Sequence, residues 1–205
     1  MLYILDLFGV IVFAITGSLV ARRKQLDVFG VAVIAFVTAV GGGTLRDIIL
    51  DITPVFWVND PMYVIFSLIG VVLTVILIRF NLLPHQPLLI ADAFGLAVFT
   101  VIGTQVALDA EVNWGIAIIM GVMSSVAGGI IRDILSDDIP LVLRKEIYAT
   151  ASLCGASIYI ILLNISLPII AITVSILFTL TLRLTAIWRR WSLPMNLIGF
   201  SENSS

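Results

Sequence analysis

Gly41-Gly42-Gly43-Thr44-Leu45-Arg46-Asp47 has an echo further along the chain, Gly128-Gly129-Ile130-Ile131-Arg132-Asp133. Each stretch lies inside an apolar segment long enough to cross a bilayer, and each sets helix-weakening glycines beside a charged pair. Glycine has no side chain to restrict the backbone, so inside a helix it costs about 1 kcal/mol relative to alanine. The expectation is a broken helix at both places. An unwound turn in hydrocarbon exposes polar backbone groups, which is tolerated only against protein or a water-filled cavity. An ionisable residue beside such a break is a functional candidate by default. Two breaks of this kind point to a path through the membrane.

The composition agrees. Of 205 residues, 60% are hydrophobic and only 12% charged, about half the charge usual in a soluble domain. Mean hydropathy is +1.18. The net charge of -2 carries no signal for a nucleic-acid partner. Cys154 stands alone, so no internal disulfide can form. The positive cluster Arg22-Arg23-Lys24 follows the first apolar run instead of preceding it, which reads as a retained span and not a signal peptide.

About 20 apolar residues cross the hydrocarbon core as a helix. By that ruler the chain holds seven spans, at 2–21, 28–50, 61–80, 88–108, 114–135, 147–165 and 168–188. The fold class is therefore an all-α integral membrane protein. Arg22, Arg23, Lys24, Arg79, Arg144, Lys145, Arg183, Arg189 and Arg190 fall at one set of span ends. Asp51, Asp60, Asp109 and Glu111 fall at the other. The positive-inside rule then places the N-terminus outside and the C-terminus in the cytoplasm, as a multi-pass protein of the plasma (inner) membrane. Trp57 and Trp114 lie at outer boundaries, and Trp188 and Trp191 at the inner one.

The chain also repeats itself at an offset of 86 residues. Asp6, Phe8, Gly9, Val12, Phe13 and Gly17 return as Asp92, Phe94, Gly95, Val98, Phe99 and Gly103. Positions 42–54 contain seven identities with 128–140, among them the glycines, the Arg-Asp pair, Asp51/Asp137 and Pro54/Pro140. A unit of three spans is odd, so its second copy enters the membrane upside down. Residues 1–80 form the first three-helix repeat, 88–165 the inverted second, 168–188 a seventh helix outside the repeat and 189–205 a cytoplasmic tail. Inverted repeats with broken helices at their interface are the architecture of transport proteins.

Adjacent helical residues point in different directions, so Arg46 is not expected to pair with Asp47. Depth favours two other intramembrane pairs, Asp6–Arg46 near the outer end and Asp92–Arg132 near the inner end. The alternative is that the arginines snorkel to headgroups. Pairing would leave Asp47 and Asp133 as free acids at the two mouths. Carbonyls freed at Gly41, Gly42, Gly43, Gly128 and Gly129 would add negative partial charge suited to a cation. Thr44, Ser124 and Ser125, with Thr38, offer hydroxyls along the same path, although hydroxyls alone are better read as bonding their own backbone. Gly9, Gly17, Gly95 and Gly103 read as close-packing surfaces where the repeats meet. His85 has no companion ligands, and no catalytic-triad, zinc or phosphate-loop spacing occurs. No enzyme, metal or cofactor is indicated.

A G-G-x-x-R-D element in each of two inverted three-span repeats, with a seventh span, resembles the prokaryotic trimeric intracellular cation (TRIC) channel family, whose repeat is also described as a glycine-transporter domain. The resemblance covers nearly the whole chain. It implies a homotrimer with a pore in each protomer, lined mainly by spans 1, 2, 4 and 5, that conducts K⁺ and also Na⁺. Membrane lipid and the permeant ions are the implied partners. The same repeats, glycines and charges would serve a secondary carrier of a small neutral amino acid such as glycine. A membrane scaffold is a third reading, but it leaves intramembrane charges without a purpose.

Overall fold

The computed structural model describes residues 2–144 and 147–191. Lys145 and the tail beyond Trp191, both used above for orientation, lie outside the described residues. Every regular element among those described is helical. They are α1 (Leu2–Arg23), α2 (Val28–Ile49), the single turn α3 (Phe56–Asn59), α4 (Met62–Arg79), α5 (Pro87–Asp109) and α6 (Trp114–Leu135). A 3₁₀ turn at Leu141–Leu143 precedes α7 (Ala149–Leu163) and α8 (Pro168–Arg189). Six helices are long and apolar enough to cross a membrane. The segment expected as a span at 147–165 holds only the 15 residues of α7, about 22 Å at 1.5 Å per residue. The expected seven equivalent spans are thus six long helices and a shorter apolar one.

Local signals recur in matched pairs 86 residues apart. Asp27 caps α2 by accepting from Gly30 N at 2.7 Å, and Asn113 caps α6 by accepting from Ile116 N at 3.0 Å. Gln25 and Glu111 form one pair with positive φ, and Asp51 and Asp137 another. All four lie just past a helix end in Schellman motifs, such as Ile52 N donating to Asp47 O at 2.8 Å and Asp138 N to Asp133 O at 2.9 Å. Asp51 and Asp137 therefore end their helices through backbone conformation and not as side-chain caps.

The centre of the bundle is α1, α2, α5 and α6, with α4 packed on α1 and α2, and α7 and α8 packed on α5. Phe13 and its counterpart Phe99 meet at a tilt of 41° between α1 and α5, ring centroids 5.0 Å apart. The ring of Phe99 lies over Gly9 and that of Phe13 over Gly95. Gly17 lets α1 approach the backbone of α2 at Ala35, and Gly103 lets α5 approach α6 at Gly121.

The predicted breaks in the second and fifth spans do not occur. Helices α2 and α6 run without interruption through Gly41–Gly43 and Gly128–Gly129, so the carbonyls there stay within the helix ladder. The glycines serve contact instead. A Cβ on Gly42 would collide with the Ser124 carbonyl oxygen, and one on Gly128 with the Thr38 carbonyl oxygen. Thr38 facing Gly128 and Gly42 facing Ser124 is an antiparallel register, so α2 and α6 cross backbone to backbone. Gly42→Ala and Gly128→Ala should each lower thermal stability in detergent by about 1–3 kcal/mol or more through overpacking. Gly115→Ala, exposed with only Asn113 Oδ1 at 3.4 Å, should be neutral or stabilising in the same measurement.

Candidate functional site: two buried arginine–aspartate clusters

Arg46 and Arg132 each sit one helical turn beyond the α2–α6 crossing, and because the crossing is antiparallel they lie on opposite sides of it. In the α6 cluster Arg132 is fully buried. Its Nη1 donates to Asp92 Oδ1 at 2.8 Å and to Thr16 Oγ1 at 2.9 Å, and its Nε donates to Asp133 Oδ1 at 2.8 Å. One guanidinium thereby ties α6 to α5 and α1. Tyr148 Oη, Arg132 Nη2 and Asp92 Oδ1 all lie within 3.5 Å of the position a Cβ would take on Gly129, so this glycine leaves room for the cluster.

In the α2 cluster the expected Asp6–Arg46 ion pair is absent. Arg46 folds back along its own helix, and its Nε and Nη2 both donate to Asp47 Oδ1, at 2.8 and 2.6 Å. Its guanidinium lies 5.6 Å from the centroid of Phe56, whose ring also fills the space beside Gly43. Asp6 instead accepts from Tyr63 Oη at 2.7 Å. The expectation that Arg46 and Asp47 would not pair fails because the long arginine side chain reaches where the diverging Cβ directions do not.

Asp47 and Asp133 are likewise not free acids at the mouths. Both are buried. Asp47 Oδ2 accepts from Phe56 N at 2.9 Å, and Asp133 Oδ2 accepts from Leu141 N at 3.0 Å. Each carboxylate holds an arginine with one oxygen and pins the turn after its helix with the other. Of the candidate hydroxyls, Thr38, Thr44 and Ser125 donate to carbonyls of their own helices. Thr44 also accepts from Trp57 Nε1 at 3.0 Å. Ser125 and Thr100 both meet Ser152 Oγ. Ser124 Oγ, at the crossing itself, is buried without a hydrogen-bond partner among the described residues.

Four participants were not singled out in the sequence. Tyr63 and Tyr148 stand 85 residues apart, not 86, because the turn pinned by Asp133 is one residue shorter than that pinned by Asp47. The shifted offset also matches Ser67 with Ser152 and Gly70 with Gly155. Thr16 carried no signal. Arg183, grouped by sequence with the basic end of the last span, is fully buried. It donates to Ile147 O at 3.0 Å and stacks 4.9 Å from the Tyr148 ring centroid.

The two ends of the bundle differ in their loops. Where α1 and α6 end, Arg23 and Lys24 both pair with Asp138, the latter at 3.1 Å. Burial alone would push the Asp138 carboxyl up, but the hydrogen bond from Lys24 and the charge of Arg23 hold it below the usual carboxylate range. The opposite end carries Asp51, Asp60, Asp109 and Glu111 with no basic loop residue.

Removing one member of a buried ion pair strands the other charge, at a cost of about 3–5 kcal/mol. Arg132→Met should therefore destabilise the protein by that order in thermal or denaturant unfolding, and adding Asp92→Asn should recover part of the loss. Equal losses in the single and double variants would show that Asp92 is not the partner that matters.

A family described as glycine transporter matches the chain twice, over residues 3–79 and 89–164. The UPF0126 inner membrane protein YadS of Escherichia coli (strain K12) is 45% identical over 206 residues, covering 99% of each chain. A UPF0126 membrane protein of Vibrio cholerae is 46% identical over 95% of this chain and 82% of its own. Among solved structures, the TRIC trimeric intracellular cation channel orthologue from Rhodobacter sphaeroides superposes with a TM-score of 0.85 at 38% identity. That match covers 93% of this chain and 98% of the other. A prokaryotic TRIC channel solved in 0.5 M KCl gives a TM-score of 0.84 at 32% identity, over 94% and 98%.

Proposed function

The chain belongs to the glycine-transporter family, together with the UPF0126 membrane proteins and the TRIC channels it matches, and on that premise we propose that it is a monovalent-cation channel. K⁺, with Na⁺, would pass within each protomer of a homotrimer, between α1, α2, α5 and α6. The reading rests on one observation: the buried pairs Arg46–Asp47 and Arg132–Asp133, with the half-buried Asp6 near the first and the buried Asp92 bonded to the second, flank the α2–α6 crossing in a TRIC-like fold. With all groups ionised each cluster carries one net negative charge, in a setting where buried charge is costly unless it serves function. In the proposed orientation the N-terminus is outside, the C-terminus is cytoplasmic and the membrane is the plasma (inner) membrane. The acidic loops then face outward and would concentrate cations at the outer mouth. Segments 1–80, 88–165 and 168–188 would be the two inverted repeats and the added helix.

Asp6 is the carboxylate of the outer cluster that no arginine neutralises, and it is the group we assign to the ion path there. Purified protein in planar bilayers under a KCl gradient should give discrete currents reversing near the K⁺ potential, unchanged by glycine. Asp6→Asn should reduce the unitary current at low salt, with a deficit that shrinks as salt screens the charge. Silence in the bilayer together with saturable glycine uptake into liposomes would move the assignment to a small amino-acid carrier.

A further inference from the structure

The loop between α4 and α5 and the last turn of α8 enclose a cavity of about 570 Å³. Its polar lining is His85, Gln86, Thr185 and Arg190, and its apolar wall includes Ile90, Leu184 and Trp188. Among the described residues the cavity lining is basic, with no Asp or Glu in it. No Asp or Glu occurs between Asp60 and Asp92, or from Ile147 to Trp191, whereas those segments hold Arg79, His85, Arg183, Arg189 and Arg190. Asp92 is buried and committed to Arg132. The side chains of His85 and Arg190 have no hydrogen-bond or ion-pair partner among the described residues. Gln86, the residue before α5, makes no capping hydrogen bond with its side chain, which leaves its amide open to the cavity.

The cavity lies at the ends of two long apolar helices, α5 and α8, which is the depth of the lipid headgroups. Trp188 is 85% exposed beside it, as an interfacial tryptophan is. Cationic groups at headgroup level above an apolar wall complement a phosphodiester with acyl chains below it. No carboxylate among the described residues lines the cavity to receive the ammonium of a zwitterionic lipid. We infer that this cavity is a binding site for an anionic phospholipid, with the phosphate held by His85 and Arg190 and the chains laid along Ile90 and Leu184. The inference does not depend on what the protein conducts.

The test uses Trp188 as reporter, in full-length protein with Trp57, Trp114 and Trp191 replaced by Phe. The protein is reconstituted in dioleoylphosphatidylcholine vesicles containing a rising fraction of brominated phosphatidylglycerol or, in parallel, brominated phosphatidylcholine. Quenching by the anionic lipid should reach its midpoint at roughly five-fold lower mole fraction, on the scale of one basic residue at a membrane surface. His85→Gln combined with Arg190→Gln should abolish the preference without changing the melting temperature, and Arg190→Lys should keep most of it. Equal quenching by both lipids would overturn the site, as would a preference that survives the double variant. Millimolar inorganic phosphate relieving the quenching would reassign the cavity to free phosphate. These readouts need no current, so failure of the channel assignment and failure of this site are separable.

Discussion

The backbone contact between α2 and α6 is the constraint from which the rest of the molecule follows. With Gly42 against the Ser124 carbonyl and Gly128 against that of Thr38, the two helices approach more closely than any side chain would allow. A one-turn step from each contact reaches Arg46 or Arg132, so the crossing also fixes where the charged groups lie. Helices α1 and α5 then close over the crossing. Their own contact is set by Phe13 and Phe99, each ring resting on the other helix's glycine. Van der Waals packing of small residues holds helices together where hydrocarbon offers no hydrophobic driving force between them.

Burying arginine in such a setting demands partners, and the two halves meet the demand differently. Arg132 is shared among Asp92, Asp133 and Thr16, so its charge is distributed over three helices. Arg46 relies on Asp47 and the face of Phe56, while Asp6 is left to the hydroxyl of Tyr63. The sequence symmetry therefore does not extend to how the charges are paired. The α6 cluster is an interlocked buried network, whose disruption is costly. The α2 cluster keeps a carboxylate, Asp6, that is held by a tyrosine hydroxyl and by no arginine.

The helices, their caps and the repeat were legible because they depend on local signals: apolar runs, Asp27 and Asn113 before helices, and motifs recurring at a fixed offset. The glycines were not, because one property serves two ends. A residue without Cβ can loosen a helix or admit a neighbouring backbone, and only the neighbour decides which. Here Ser124 O and Thr38 O occupy the space, and the helices stay whole. Arg46 was misassigned because Cβ directions constrain short side chains far more than a guanidinium on a long stem. Tyr63 and Tyr148 were concealed by a single-residue difference in loop length. Burial of Arg183 depends on how α8 packs, which no local pattern encodes.

The difference between the two ends of the bundle lies in the loops more than in the helices. Arg23 and Lys24 join the loop after α1 to Asp138 after α6. The positions at the opposite end that would mirror this clamp cannot form it, since Asp109 stands in place of Arg23, Ala110 in place of Lys24 and Ile52 in place of Asp138. Exposed ion pairs of this kind contribute only about 0–1 kcal/mol each and are screened by salt. A clamp of that size biases an equilibrium without locking it. The buried clusters behave oppositely, since an uncompensated charge within the bundle costs several times as much. The repeat supplies a scaffold with two matching halves, and a handful of loop charges makes one end acidic and ties the other with ion pairs.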